Sequence, residues 1–100
     1  MTLILYEDKE LTKPFNVIGF IEVEVGSSKS KEAYLANTSD KFVITSIKEA
    51  FTDEDVSVVN MPLELKPKES KAIVITFKPS LNREEGLHTD VFFSGKMIKP

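Results

Sequence analysis

The sequence predicts an all-β fold, an antiparallel sandwich of about seven strands. Apolar residues alternate with polar ones along most of the chain, which is typical of half-buried strands, and no segment has the three-to-four spacing of an amphipathic helix. Turn-forming residues recur at intervals of roughly 8–12 residues. The 100-residue length, with 41% hydrophobic and 29% charged residues, suits one core. We therefore expect residues 1–100 to form a single domain.

The alternation assigns each strand in turn. Lys31 to Asn37 and Lys41 to Ile47 flank the polar residues Thr38 to Asp40, so we expect them to pair as a hairpin. Val56 to Val59 is short and follows an acidic loop, as an edge strand often does. The predicted strands are Leu3 to Tyr6, Phe20 to Val25, Lys31 to Asn37, Lys41 to Ile47, Val56 to Val59, Ser70 to Phe77 and Leu87 to Ser94.

The strongest strand signal is Ser70 to Phe77, a β-branched run bounded by Pro67 and Pro79. We expect a central strand here, with alternate residues pointing into the core. The final strand alternates in the same way, so its odd-numbered residues should face the same core. The predicted inward set is Ile73, Ile75 and Phe77, opposite Val91 and Phe93.

Residues 1–13 form an amino-terminal strand and a polar connector. The apolar run Leu3, Ile4, Leu5 and Tyr6 is separated from the later strands by the polar residues Glu7 to Lys13. We favour a strand that completes the domain's own sheet. The alternatives are an arm that pairs with a neighbour's sheet edge, which makes these four residues candidate partner-binding residues, and a disordered tail.

Charge and composition exclude several function classes. The net charge is −3, and Arg83 is the single arginine, so no basic footprint for nucleic acid is present. Cysteine is absent, which favours a reducing compartment. The amino terminus lacks the basic and apolar regions of a signal peptide, and no apolar run is long enough to cross a bilayer. We expect cytoplasmic synthesis without an export signal and no membrane partner.

Candidate chemical residues all favour a structural interpretation. His88 is the sole histidine and has no cysteine to join it in a metal site. Glu49 with Asp53 to Asp55 could bind Ca²⁺ through oxygen ligands, but the run lacks the spacing of a calcium loop. Asn37 to Ser39 matches a glycosylation sequon and is better explained as turn chemistry. We expect no catalytic residue, metal, cofactor or small-molecule substrate, and so no enzyme.

Four motifs in order resemble a known family. They are Phe20-Ile21-Glu22-Val23-Glu24-Val25-Gly26-Ser27-Ser28, Leu35-Ala36-Asn37-Thr38-Ser39, Leu65-Lys66-Pro67-Lys68-Glu69-Ser70 and Ile75-Thr76-Phe77-Lys78-Pro79. Together they look like the ASH and Hydin-type immunoglobulin-like domains and, more loosely, the major sperm protein family. The resemblance covers about Phe20 to Ser94. Ile21 departs from it, because the family usually has glycine there.

The resemblance implies an immunoglobulin-like β-sandwich that acts through protein contacts and carries no catalytic residues. One functional hypothesis is a structural or assembly protein, such as an accessory or decorating component of a virus or phage particle. The other is a cytoplasmic adaptor that binds a peptide or protein by edge-strand addition or through lysines. Major sperm protein relatives bind acidic peptides on a basic face, and the matching candidates here are Lys66, Lys68, Lys71 and Lys78.

Overall fold

The chain folds as two antiparallel four-stranded sheets packed face to face, in a computed structural model that describes residues 3–20, 25–51, 54–80 and 87–99. The predicted all-β sandwich is therefore confirmed. Eight strands are described: β1 (Leu3–Tyr6), β2 (Val17–Phe20), β3 (Lys29–Asn37), β4 (Val43–Phe51), β5 (Val56–Val59), β6 (Glu64–Leu65), β7 (Ser70–Phe77) and β8 (Leu87–Ile98). The first sheet has the order β1-β3-β7-β5, and the second has the order β2-β8-β4-β6.

The core lies between the two sheets and is built by the period-two alternation of the strands. On β7, the side chains of Ile73, Ile75 and Phe77 are completely buried, as predicted. Val91 and Phe93 of β8 belong to the same buried cluster, which they enter from the second sheet. The predicted register of β7 and of the second half of β8 is therefore confirmed. The side chains of residues 87–89 lie outside the described part.

The predicted hairpin of Lys31 to Asn37 with Lys41 to Ile47 is wrong. The strands in these regions, β3 and β4, lie in different sheets, and β3 pairs instead with β1 and β7. The side-chain amide nitrogen of Asn37 donates hydrogen bonds to the carbonyl oxygens of Phe42 at 2.8 Å and Leu65 at 3.1 Å. These bonds join the end of β3 to the second sheet where the chain crosses over. From the two sheets, β3 contributes Ala33 and Leu35 to the core and β4 contributes Ile44.

The remaining predictions differ from the structure mainly at element ends. β5 is an edge strand, as expected. β8 continues past Ser94 to Ile98, because its last residues pair with the beginning of β4. β2 and β6 were not predicted, since each is short and has little alternation. The predicted strand Phe20 to Val25 falls largely on residues 21–24, which lie outside the described part. Within the described ranges, no helix is long and apolar enough to cross a bilayer.

Candidate functional site

A connecting segment, residues 7–16, links the first sheet to the second along one side of the sandwich. Tyr6 and Pro14 form an isolated antiparallel bridge, and the Phe15 amide donates to the Leu5 carbonyl at 3.0 Å. Directly afterwards, the Asn16 carbonyl accepts a 2.8 Å hydrogen bond from the Val91 amide of β8. Pro14 suits an irregular edge position, because it has no N–H to donate to a ladder. The segment therefore lies against the edge of β1 and then joins β8.

The Asp8 carboxylate holds the first half of this segment together through hydrogen bonds. Asp8 accepts hydrogen bonds from the backbone amides of Thr12 and Lys13, both at 2.9 Å, and from the Thr12 hydroxyl. The Thr12 hydroxyl and these two amides hold the pKa of Asp8 below its usual range, because they stabilise the ionised form. Leu11 has a φ of 60°, a left-handed conformation that is uncommon for leucine. Local hydrogen bonding thus holds the connector in a compact turn.

An apolar groove of about 440 Å³ opens beside this connector, between the edge of β1 and the face of β8. It exists because the strands along this side are short: β2 pairs with β8 only as far as Val17 opposite Asp90, and β1 has only four residues. The groove is lined by Leu3, Ile4, Leu5, Pro14, Phe15, Asn16, Val91, Phe92 and Phe93.

Among the described residues that line the groove, none is charged, and Asn16 is the one polar member. Val91 and Phe93 form the floor, since both are buried in the core, while Phe92 points the other way and is 52% exposed. Phe15 is partly buried and packs against the core cluster. Such a surface favours an apolar occupant, because an ionic one would lose its hydration without gaining a partner.

One wall of the groove also offers a strand edge. Backbone groups of alternate residues in a strand point to the same side. The Leu5 carbonyl faces away from β3, towards Phe15, so the N–H and C=O of Leu3 face the same outer side. The connector bridges the edge at Leu5 and Tyr6, and the Leu3 end lies beyond those bonds. The groove therefore combines apolar side chains with main-chain hydrogen-bonding groups.

The predicted amino-terminal site residues fall in this region. Leu3 to Tyr6 form β1, which pairs in antiparallel register with β3 of its own sheet. The favoured interpretation, that this strand completes its own sheet, is confirmed. Leu3 and Leu5 are buried in the core, whereas Ile4 and Tyr6 point to the outer face and are half-buried. Leu3, Ile4 and Leu5 line the groove, and Tyr6 lies at the bridge to the connector.

The four candidate lysines do not share one surface. Lys66, Lys68 and Lys71 lie at the end of the sandwich where β7 begins, and Lys78 follows the other end of that strand. Eight residues of strand separate the two ends by roughly 25 Å. The Lys68 ammonium donates to the Thr38 carbonyl at 2.9 Å, which binds it to the turn after β3. Three of the lysines are thus grouped, and the fourth is remote.

The other candidates have structural surroundings. The Asp55 carboxylate accepts hydrogen bonds from the amide and hydroxyl of Ser80. Asp53 and the His88 side chain lie outside the described part, within which no three potential ligands come together as a metal site. Asn37 is almost completely buried, and its side-chain oxygen accepts a hydrogen bond from the Ser39 amide at 3.0 Å. The sequon residues therefore stabilise the turn after β3.

Sequence reasoning missed Phe15, Asn16 and Phe92 as members of the site. Phe15 and Asn16 carry no local signal, because their role depends on the position of the connector between two sheets. Phe92 did carry one: it is a large aromatic residue on the strand face that also holds His88, Asp90 and Ser94. An aromatic residue on a polar face marks a candidate contact surface.

Comparison with protein-family models, curated proteins and solved structures finds no significant match to this chain. The functional argument therefore depends on the geometry of the groove and on the residues that line it.

Proposed function

We propose that this chain is a non-enzymatic binding domain that acts through protein–protein contacts, and that it receives an extended, uncharged segment of a partner in the groove beside β1. The observation that carries the proposal is the juxtaposition of an apolar groove with the outward-facing backbone of Leu3. Strand addition uses both features, since main-chain hydrogen bonds provide affinity and pockets for alternate side chains provide specificity.

The size and chemistry of the groove support an extended segment. A volume of about 440 Å³ accommodates a few apolar side chains. Phe15 supplies aromatic surface, which is enriched at the centres of protein interfaces. The described residues of the lining carry no charge, which argues against an acidic or basic peptide at this place. The adaptor hypothesis based on lysines has weaker support, because Lys78 is remote from Lys66, Lys68 and Lys71.

We propose that the chain performs this binding as an accessory or decorating component of a virus or phage particle. The resemblance to immunoglobulin-like scaffold domains supports this context, and fold analogy is its only support. In that case, the chain should be present at a fixed ratio to the main structural protein in purified particles. Quantitative mass spectrometry of the particles tests this point, and recovery of the chain only in the unassembled fraction would contradict it.

Peptide binding tests the groove directly. Uncharged peptides of about eight residues with alternating apolar side chains should bind the wild-type domain, as measured by fluorescence anisotropy. The substitution N16K should abolish binding, because it places an ammonium group at the groove from an exposed position. The control V59K places the same charge on an exposed valine of the far edge strand β5 and should have no effect.

Two results would contradict the proposal. Absence of binding by every peptide in the set would remove the groove as a binding site. Binding that survives N16K but is lost in K68E would move the site to the lysines and favour the adaptor hypothesis. Amide chemical shifts recorded on the same samples would show whether Leu3 or the turn at Thr38 responds to the peptide.

A further inference from the structure

We infer that the edge of β5 is a second binding surface, and that it takes an extended, positively charged segment of a partner protein by strand addition. β5 closes the first sheet on the side opposite to β1, so this surface is separate from the groove. Two observations carry the inference, namely the outward-facing backbone of Val56 and Val58 and the acidic side chains beside it.

The backbone of β5 alternates between groups that bond to β7 and groups that face away from it. The Lys78 amide donates to the Asp55 carbonyl at 3.0 Å, so these two residues form a hydrogen-bonded pair. Hydrogen-bonded and non-bonded pairs alternate along an antiparallel ladder, so Ser57 also bonds to β7, whereas Val56 and Val58 do not. The N–H and C=O groups of Val56 and Val58 therefore point to the outer edge.

The edges of the other three outer strands are protected in the described part of the chain. The connector covers β1 at Leu5, and the Gly19 carbonyl of β2 accepts a hydrogen bond from the Lys31 side chain. β6 has only two residues and lies between Pro62 and Pro67. By contrast, β5 contains no lysine, proline or bulge, and no hydrogen bond among the described residues reaches its outward groups. An unprotected edge of this kind is a template for another strand.

Strand β4 of the second sheet contacts β5 and places an acidic residue on the same side of the sandwich. β6 pairs with β4 only at Ile44 and Thr45, so the later residues of β4 form the edge of their sheet. Glu49 lies opposite the buried Phe93, so its side chain leaves β4 on the inner face, yet it is exposed at the rim. Glu49 therefore borders the space that the inner face of a strand added to β5 would enter.

The described charges beside this space are mainly negative. Glu54 and Asp55 precede or begin the β5 edge and add to Glu49, while Lys78 lies opposite Asp55 after the end of β7. Lys48 belongs to the outer face of β4, because it alternates with Glu49 along the strand. A segment with lysine or arginine among its inward residues thus meets complementary charge, whereas an acidic segment is repelled.

Amide hydrogen exchange of the free chain tests whether the edge is open. The amides of Val56 and Val58 should exchange faster than the amide of Ser57, because only the Ser57 amide bonds to β7. Equal protection of all three amides would overturn the inference.

Titration of the isotope-labelled chain with synthetic peptides tests the partner. The probe is a capped peptide of about eight alternating valines and threonines in which lysine replaces two valines, and a second peptide carries glutamate at the same positions. The lysine peptide should shift the amide resonances of Val56–Val59 and slow exchange at Val56 and Val58. The glutamate peptide should bind at least about tenfold more weakly. Absence of binding by the lysine peptide, or shifts confined to Leu3 and Phe15, would overturn the inference.

Three variants locate the contact. E49K should reverse the preference between the two peptides, whereas E10K makes the same charge change on the connector beside β1 and should leave it unchanged. V58P removes an outward N–H without breaking a bond to β7, so it should abolish binding while circular dichroism shows a folded chain. A preference that survives E49K, or binding that survives in folded V58P, would overturn the inference. The uncharged peptides that test the groove should still bind E49K, so failure at β5 would leave the proposed function standing.

Discussion

Phe77 is the residue whose loss the core should tolerate least. Its side chain is completely buried on β7, an internal strand of the first sheet, and it belongs to the cluster that also contains Val91 and Phe93 of the second sheet. The backbone of β7 is held on both sides, by β3 and by β5, so the structure cannot easily collapse around a missing ring. We therefore expect Phe77→Ala to leave a cavity that stays largely open.

The expected cost is about 4 kcal/mol, within the usual range for a buried phenylalanine replaced by alanine. A domain of this size has a total free energy of unfolding of about 5–15 kcal/mol, so the variant would be close to unfolding at room temperature. Each kcal/mol corresponds to a shift of roughly 4–8 °C in the melting temperature. We expect the midpoint to fall by about 15–30 °C.

Urea denaturation followed by far-ultraviolet circular dichroism measures this effect, since the chain has no tryptophan for fluorescence. Phe92→Ala is the matched control, because it removes the same ring from a position that is 52% exposed, and it should cost less than about 1 kcal/mol. The denaturant dependence should be unchanged in both variants. A loss below about 1 kcal/mol for Phe77→Ala would mean that the register of β7 is wrong by one residue.

The other predictions concern the chain ends, the turns and metal. Deletion of residues 1–12 should lower the free energy of unfolding by about 3 kcal/mol, because Leu3 and Leu5 are buried; unchanged stability in chemical denaturation would make the segment a docking arm or a tail. Asn37→Ala should cost about 2–3 kcal/mol in the same measurement, since it leaves the carbonyls of Phe42, Leu65 and Lys66 without the side-chain N–H donor of Asn37. Asn37→Asp keeps the shape of the side chain but removes the N–H donor, and it should also destabilise the fold. Because the pKa of Asp8 is lowered in the folded state, its contribution to stability is complete above the unfolded-state pKa of about 3.9 and is lost as the pH falls through the folded-state pKa. The difference in melting temperature between the wild type and Asp8→Asn should therefore vanish in acid. A difference that stays constant at all pH values would contradict this role. Addition of chelator should leave the melting temperature unchanged, and a fall that Ca²⁺ alone restores would identify Glu49, Asp53 and Asp55 as ligands.

Local patterns were sufficient to predict much of the fold. The β-branched run between Pro67 and Pro79 predicted the bounds of β7. The assignment of Ile73, Ile75 and Phe77 to one face predicted its buried side, because a strand places every second residue on one side whatever its neighbours are. The same reasoning predicted β1 and β5 with their observed ends. The side-chain turn at Asn37 was also predictable, since asparagine and serine bond to backbone groups only a few residues away.

Tertiary structure alone decided which strands are neighbours and where the groove lies. A connection of five residues can join two strands of one sheet or cross between two sheets, so the pattern around Asn37 could not exclude the wrong hairpin. The groove depends on the short reach of β2 along β8 and on the position of Phe15 and Asn16 between the sheets, which are relations between residues some 75 positions apart. The alternation of residues specifies which face of a strand is buried, but packing across the whole core selects the strand with which it pairs.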